Sequence, residues 1–399
     1  MYLKSNRIYL PDNIIFSGYL KIENGKITNI LKVIENQHDV VDYGDKIIIP
    51  GFMDVHIHGY GTGSYVYSNT EKDIIEMSKC LPKIGITSYL ATTCCDEFGF
   101  LKDAVRNCCS VLNKGHVEGA ECMGLHLEGP FINPEYKGMM KDEYILKPSI
   151  DTLKELLSCS IKGNEVKLMT IAAELDEDFK VIDWCKKHHI QIQCGHSAAT
   201  FDTMTKMREH GVHAVTHMFS GMKGMHHREL GVVGSALYYD DINCEFCKQT
   251  GMTVKKEAFE LVWRIKGPEK ISMCTDCAGL ANVREPRYHY IRKQTFIPDG
   301  DNLIIRNDDG TEKILNRRNY DDVKDLEMGY LDSIKNVIEY VHPTIHEIMK
   351  ITSENQAKHI GVFDRKGSIE VGKDADLLVL TDDFDLVDVY CLGIKQDIA

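Results

Sequence analysis

The chain has 399 residues, 43% of them hydrophobic and 27% charged, with a formal net charge of −13 and 14 cysteines. That length and balance describe a globular protein able to bury a large core in one large domain, with or without a small companion. Net acidity without a Lys/Arg run excludes nucleic acid as a partner class, although a single local arginine can still bind a small anion. Residues 1–7 lack the apolar core of a signal peptide, and no stretch is apolar for long enough to span a membrane. A cytoplasmic location with reduced thiols and no membrane partner is therefore expected.

Residues 1–49 carry short strand patterns. Gly18-Tyr19-Leu20-Lys21-Ile22 and Ile27-Thr28-Asn29-Ile30-Leu31 flank Glu23-Asn24-Gly25, and Asn-Gly is a strong hairpin signal. Lys46-Ile47-Ile48-Ile49 then lead into Pro50-Gly51-Phe52-Met53-Asp54-Val55-His56-Ile57-His58-Gly59. Side chains alternate along a strand, so His56 and His58 share one face, opposite Val55 and Ile57. Two imidazoles so placed can hold one divalent metal. The Gly59-Tyr60-Gly61-Thr62-Gly63 run that follows lacks the spacing of a dinucleotide-binding loop. It is expected to form a flexible rim of that site, with Tyr60, Tyr65 and Tyr67 as pocket walls or packing residues.

From about residue 50 to 365, apolar strands alternate with amphipathic stretches such as Phe179 to His188 and Phe201 to His210. This βαβα rhythm predicts an α/β fold, a (β/α)8 TIM-like barrel spanning 50–365. The polar segment 283–328, with Pro298-Asp299-Gly300 and Asp308-Asp309-Gly310 turns, reads as an insertion, either a β excursion or a loop over the site. Strand patterns return over 366–399, and with 1–49 they predict a small β-sandwich built from both termini. The pairs Cys244/Cys247 and Cys274/Cys277 lie in strand-like runs, where positions i and i+3 face opposite sides. Knuckle glycines are missing, so a zinc ribbon is not expected.

Barrel enzymes place their chemistry at the C-terminal ends of strands. Glu128 ends the apolar run at 122–128, His196 the run at 190–196 and His217 the run at 214–217, while Asp276 follows Cys274-Thr275. With His56 and His58 these make six metal-ligand or acid–base residues in phase with the strands. Any one alone is an ordinary polar residue. Six in phase point to a metal site.

The strings Pro-Gly-Phe-Met-Asp-Val-His-Ile-His-Gly (50–59), His-Leu-Glu-Gly-Pro-Phe-Ile (126–132), Gly-His-Ser (195–197), Thr-His-Met-Phe (216–219), His-Arg-Glu-Leu-Gly (227–231) and Thr-Asp (275–276) resemble the amidohydrolase superfamily. Within it they resemble the N-acetylglucosamine-6-phosphate deacetylase family, which carries a glutamate in His-Leu-Glu-Gly-Pro where many relatives use a carbamylated lysine. Residues 367–380 resemble the superfamily's closing sandwich segment. The resemblance implies that Glu128, His196 and His217 bind one metal, and that His56 and His58 bind a second with Glu128 bridging. Asp276 would be the catalytic carboxylate, taking a proton from the attacking water and passing it to the departing nitrogen. The cofactor implied is one or two divalent ions, with zinc favoured and iron, manganese or cobalt admitted by the same ligands.

The departures fall where the family reads its substrate. The usual Lys-Gly-Ala-His is Lys137-Gly138-Met139-Met140, Asn-Ala is Ser220-Gly221, and Asp-Gly-x-His is Thr250-Gly251-Met252-Thr253. The small-residue loop before the last barrel helix reads Asp325-Leu326-Glu327-Met328-Gly329-Tyr330. Arg228 is retained beside His226 and His227. Substrate contacts are thus expected from Arg228, His227, Ser220, Gly221, Met140 and Thr253. The partner is expected to be a phosphorylated N-acyl amino sugar, and the resemblance implies a homodimer. Another N-acyl amino sugar or related amide is the alternative substrate. A non-catalytic barrel serving as a binding module is the alternative of another class, and the retained Asp276 argues against it.

Overall fold

The computed structural model describes residues 1–35, 39–115, 117–290 and 292–398. Its centre is a ring of eight parallel strands: β1 (Phe52–Ile57), β2 (Ile86–Thr93), β3 (Glu121–Glu128), β4 (Val166–Ile171), β5 (Gln191–Cys194), β6 (Ala214–Val215), β7 (Asn243–Phe246) and β8 (Ile271–Met273). They pair in chain order. Parallel neighbours need a crossover, and helices such as Lys180–Lys187 and Phe201–Glu209, both expected from their amphipathic pattern, supply it. β1 and β2 are buried at every position, because one face meets the barrel interior and the other meets the helices. The ring closes at its C-terminal end. Asp276 donates its N–H to the His56 carbonyl at 2.8 Å, and His58 donates to the Cys277 carbonyl at 2.9 Å. The residues after β8 are thereby drawn against those after β1.

Two further sheets follow, and the six-stranded one combines chain from both ends. The hairpin of Gly18–Glu23 and Lys26–Leu31 joins Tyr2–Ser5 and Val40–Asp42 in a four-stranded sheet. Asn24 and Gly25 are both left-handed, φ 50° and 76°, as a type I′ turn requires. A six-stranded sheet runs in the order Ile394–Lys395, Leu386–Cys391, Leu377–Leu380, Ile47–Pro50, Arg7–Tyr9, Ile14–Ile15. Leu3, Leu20 and Ile27 of the first sheet pack with Ile8, Ile48 and Val379 of the second in one apolar layer. Ile47–Pro50 leads directly into β1.

Charge also fixes the base of the barrel. Lys366, with its side chain 1% exposed, reaches Glu121 at the start of β3 (2.7 Å) and Asp374 (3.1 Å), and it also pairs with Asp376. Arg365 bridges Glu121 and Asp374 at 3.0 and 2.9 Å. Every charge in the group meets an opposite one, which burial requires.

Between 283 and 328 the chain takes the β form. Arg287–His289, Gln294–Asp299, Asn302–Asn307 and Glu312–Asn316 make an antiparallel sheet. Its Phe296, Leu303 and Leu315 pack on Val66, Tyr67 and Leu280, which follow β1 and β8, so the sheet stands on the C-terminal side of the barrel. The glycine run after His58 corrects an expectation. Instead of a flexible rim it forms a buried ladder of Gly59–Tyr60 with Gly63–Ser64. A Cβ on Gly63 would come within 2.4 Å of the Met77 nitrogen, so the glycine lets helix Glu71–Cys80 pass close. Among the described residues no helix is long and apolar enough to cross a membrane.

Candidate metal centre

All six strand-end residues converge inside the C-terminal mouth of the barrel. His56 is the fifth residue of β1 and points inward, opposite Val55 and Ile57, and is wholly buried; His58 follows, 6% exposed. Glu128, the last residue of β3, reaches four imidazoles. Its Oε1 lies 3.1 Å from Nε2 of both His196 and His217 and 3.3 Å from Nε2 of His56, while Oε2 lies 3.3 Å from Nε2 of His58. Asp276 Oδ1 lies 3.3 Å from His58 Nε2 and 3.7 Å from His56 Nε2. His196, His217 and Asp276 each sit just past their strands with left-handed φ of 48°, 33° and 49°. Such backbone costs on the order of 1–3 kcal/mol per residue and persists only where the surroundings enforce it.

The far sides of the rings show which nitrogen faces inward. His196 Nδ1 donates to the Tyr136 carbonyl at 2.6 Å and His58 Nδ1 to the Thr92 carbonyl at 3.1 Å. His56 Nδ1 lies 2.8 Å from Glu245 Oε1. In each neutral ring the Nε2 lone pair then points at the centre, the arrangement by which outer carbonyls and carboxylates orient metal-binding histidines. Nε2 of His196 and of His217 lie 3.1 Å apart, and His56 Nε2 is buried without a hydrogen-bond partner. Lone pairs facing one another at that range repel unless a cation or a proton lies between them. Two groups, Glu128/His196/His217 and His56/His58/Asp276, each gather their donor atoms within 4.8 Å. These residues fit divalent metal.

Burial opposes charge on His58, but hydrogen bonds to Asp276 and Glu128 prevail and raise its pKa to about 9. Burial likewise works to raise the Asp276 carboxyl, and the His58 and His56 rings hold it down at about 2. Glu245 behaves alike: burial is outweighed by the neighbouring His56 ring, and its pKa falls to about 2.

Glu245 was not singled out by sequence, and it is central. It is fully buried on β7, beside His56 Nδ1, and accepts from Gln193 Nε2 (3.3 Å) and the His217 backbone N–H (3.2 Å). Its signal is a lone charge between Cys244 and Phe246 in an apolar strand, masked by the Cys-x-x-Cys pattern around it. His126 was visible only as part of a motif. It donates through Nδ1 to the Val55 carbonyl at 3.0 Å, sits 2.8 Å from Thr170 Oγ1, and stays neutral because burial, reinforced by His56, drives its pKa to about 3.

The residues expected to read substrate divide. Ser220 and Gly221 border the centre: a Cβ on left-handed Gly221 would lie 2.9 Å from His196 Nδ1. Met140 is half-buried on the loop after β3, where Gly138 passes His196. Arg228, His227 and Thr253 are exposed. Among the described residues, no hydrogen bond or ion pair links Met140, Arg228, His227 or Thr253 to the six convergent side chains. A cavity of about 530 Å³ is lined by Tyr60, Thr250, Met252, Arg292, Glu327 and Met328 among others, and by none of the six convergent residues.

The amidohydrolase family model matches residues 47–395. The chain belongs to the amidohydrolase family. It is a hydrolytic enzyme acting on an amide bond. This amidohydrolase is 30% identical over 397 residues to N-acetylglucosamine-6-phosphate deacetylase of Bacillus subtilis, covering 98% of this chain and 96% of that protein. It is 23% identical to N-acetylgalactosamine-6-phosphate deacetylase of Escherichia coli O157:H7, covering 98% of each. The crystal structure of N-acetylglucosamine-6-phosphate deacetylase from Pasteurella multocida superposes with a TM-score of 0.82 at 26% identity, covering 99% of this chain and 100% of that one.

Proposed function

We propose that this amidohydrolase removes the acetyl group of N-acetylglucosamine 6-phosphate, giving glucosamine 6-phosphate and acetate, with Asp276 as the catalytic carboxylate. The convergence of four imidazoles on Glu128, with Asp276 at 3.3 Å from His58, carries this reading. Glu128, His196 and His217 would hold one ion, and His56 and His58 a second. Glu128 suits a bridging role because its carboxylate borders both histidine sets, with Oε1 near His196, His217 and His56 and Oε2 near His58. Divalent metal supplies polarisation of an acyl carbonyl and lowers the pKa of bound water from about 15.7 to about 7. Zinc suits imidazole and carboxylate ligands best.

The chain's own groups account for the rest. Asp276, ionised at neutral pH, accepts the proton of the attacking water and returns it to the nitrogen as the C–N bond breaks. His126, kept neutral, and Glu245 hold the wall behind His56 in place. Ser220 and Gly221 lie where a sugar bound to the metal side would pass, and Arg228, His227, Met140 and Thr253 complete the substrate contacts in this reading. We extend it to residues 1–49 with 366–399 as one unit beside a barrel of 50–365, to a cytoplasmic location and to a homodimer. The six-stranded sheet shared by both termini and the fourteen free thiols support the first two, and sedimentation tests the third.

Purified full-length protein loaded with Zn²⁺ is expected to release acetate from N-acetylglucosamine 6-phosphate, to lose activity on chelation and to regain it with Zn²⁺. Turnover of N-acetylgalactosamine 6-phosphate instead would transfer the reading to the other amino sugar, an outcome that Ser220-Gly221 in place of Asn-Ala makes worth measuring. No acetate from either would remove it.

A further inference from the structure

Residues flanking two segments in which this chain departs from the deacetylase pattern, 250–253 and 325–330, are joined beside the end of β8. Gln249 N–H donates to Ser333 Oγ at 2.8 Å, and Asn336 Nδ2 donates to the Gln249 carbonyl at 2.6 Å. At this junction Lys248, on the segment leaving β7, turns its ammonium inward. Nζ lies 3.1 Å from the Asp276 carbonyl oxygen, 3.5 Å from Cys277 Sγ and 3.4 Å from Glu327 Oε1, and the lysine and glutamate side chains are 17% and 7% exposed. Glu327 in turn accepts backbone N–H groups from Ala278 (2.8 Å), Gly279 (2.7 Å) and Leu280 (3.1 Å). The pair therefore grips one short stretch of backbone twice, at 276 through its carbonyl and at 278–280 through its amides.

That stretch has an unusual task. It carries Asp276 in left-handed backbone at φ 49°, a sparsely populated conformation for a residue other than glycine. It also closes the barrel through the Asp276 N–H on the His56 carbonyl and the Cys277 carbonyl on His58. Packing alone would be served by an apolar side chain, since a buried ammonium is costly unless it is paired and hydrogen-bonded. Here it is both. Burial works against the Lys248 charge, yet Cys277 and the Glu327 and Asp276 carboxylates raise its pKa above the ordinary lysine value, so the cation persists.

We propose that Lys248 and Glu327 are positioning residues for the hydrolytic reaction, an ion pair that clamps backbone 276–280 so that the Asp276 carboxylate stays aimed at the His56–His58 pair. The inference rests on the reading of Asp276 as proton carrier. In zinc-loaded full-length protein, Lys248→Met is expected to lower kcat about 10–100-fold, as loss of an outer orienting partner does, with KM within about threefold and zinc content unchanged. Removing a cation near Asp276 also makes its carboxylate easier to protonate, so the acidic limb of the kcat–pH profile moves to higher pH. Lys248→Arg should recover most of the lost rate. A lower melting temperature with kcat per folded molecule and the acidic limb both unchanged would overturn the proposal. If Lys248→Met does not fold, Glu327→Gln is put to the same kcat, KM and pH readouts, and the same null result overturns the proposal. If the wild-type protein hydrolyses no acetylated amino sugar, the functional reading fails separately, and the clamp is then judged on cobalt-substituted protein. Its visible spectrum must differ between wild type and Lys248→Met, and identical spectra would sink the inference.

Discussion

At the base of the barrel, buried Lys366 and half-buried Arg365 sit among Glu121, Asp374 and Asp376; at its mouth, buried Glu128 sits among four imidazoles, with half-buried Asp276 beside two of them. The two clusters stand at opposite ends of β3, roughly 23 Å apart at about 3.3 Å per residue. At the base, cations meet anions and the group satisfies itself. At the mouth, nitrogen faces nitrogen at 3.1 Å, a buried Nε2 makes no hydrogen bond, and three residues accept left-handed backbone to stay there. A closed charge network holds a fold together; an open one, assembled against local preference, is shaped to hold a cation.

Breaking the mouth should abolish function while sparing the fold. Glu128→Ala removes the shared ligand, and we expect loss of bound metal, by elemental analysis, with activity lower by at least about a thousandfold. Asp276→Asn should keep metal and lower kcat by about 10²–10⁴, the range for loss of acid–base catalysis. Unchanged activity there would take Asp276 out of the mechanism. Breaking the base should do the reverse. Lys366→Met leaves three carboxylates without their central cation and should destabilise by about 3–5 kcal/mol in denaturant unfolding, with kcat per folded molecule unaltered.

Titration separates the clusters more gently. His58 in the metal-free protein holds a proton up to about pH 9, and metal must displace it. Metal affinity therefore rises with pH toward 9, by about tenfold per unit for each proton released, and calorimetry in buffers of different ionisation enthalpy counts those protons. The stability given by this raised pKa is fully present below about 6.5 and is lost as pH rises through 9. Chelated protein should thus melt lower at pH 9 than at pH 6.5, whereas the metal-loaded form should not share that loss. A smaller effect on function is expected from Gly221→Ala, whose new Cβ presses on His196 from left-handed backbone: metal affinity falls by up to about tenfold, and stability falls by about 1–3 kcal/mol in denaturant unfolding.

The strand rhythm of 50–365 and the phase of His56, His58, Glu128, His196, His217 and Asp276 were legible because both depend on periodicities of a single segment. Glu245 was not, because an inward carboxylate on β7 gains its meaning only from His56, 189 positions earlier in the chain. The Gly59-Tyr60-Gly61-Thr62-Gly63 run misled for a related reason. Glycine signals freedom locally, but here it admits helix Glu71–Cys80 and pairs in a buried ladder. Lys248 and Glu327 lie in ordinary polar surroundings in the sequence, and nothing local says that they meet.

By itself, then, the sequence determined the barrel, the β-rich layer from both termini and the kind of chemistry at the strand ends, since alternation and residue type are local facts. Only the tertiary structure decided which donor atoms share a centre, which way each ring faces, and what holds Asp276 in its left-handed turn. Those depend on distances between strands that the chain order alone leaves open.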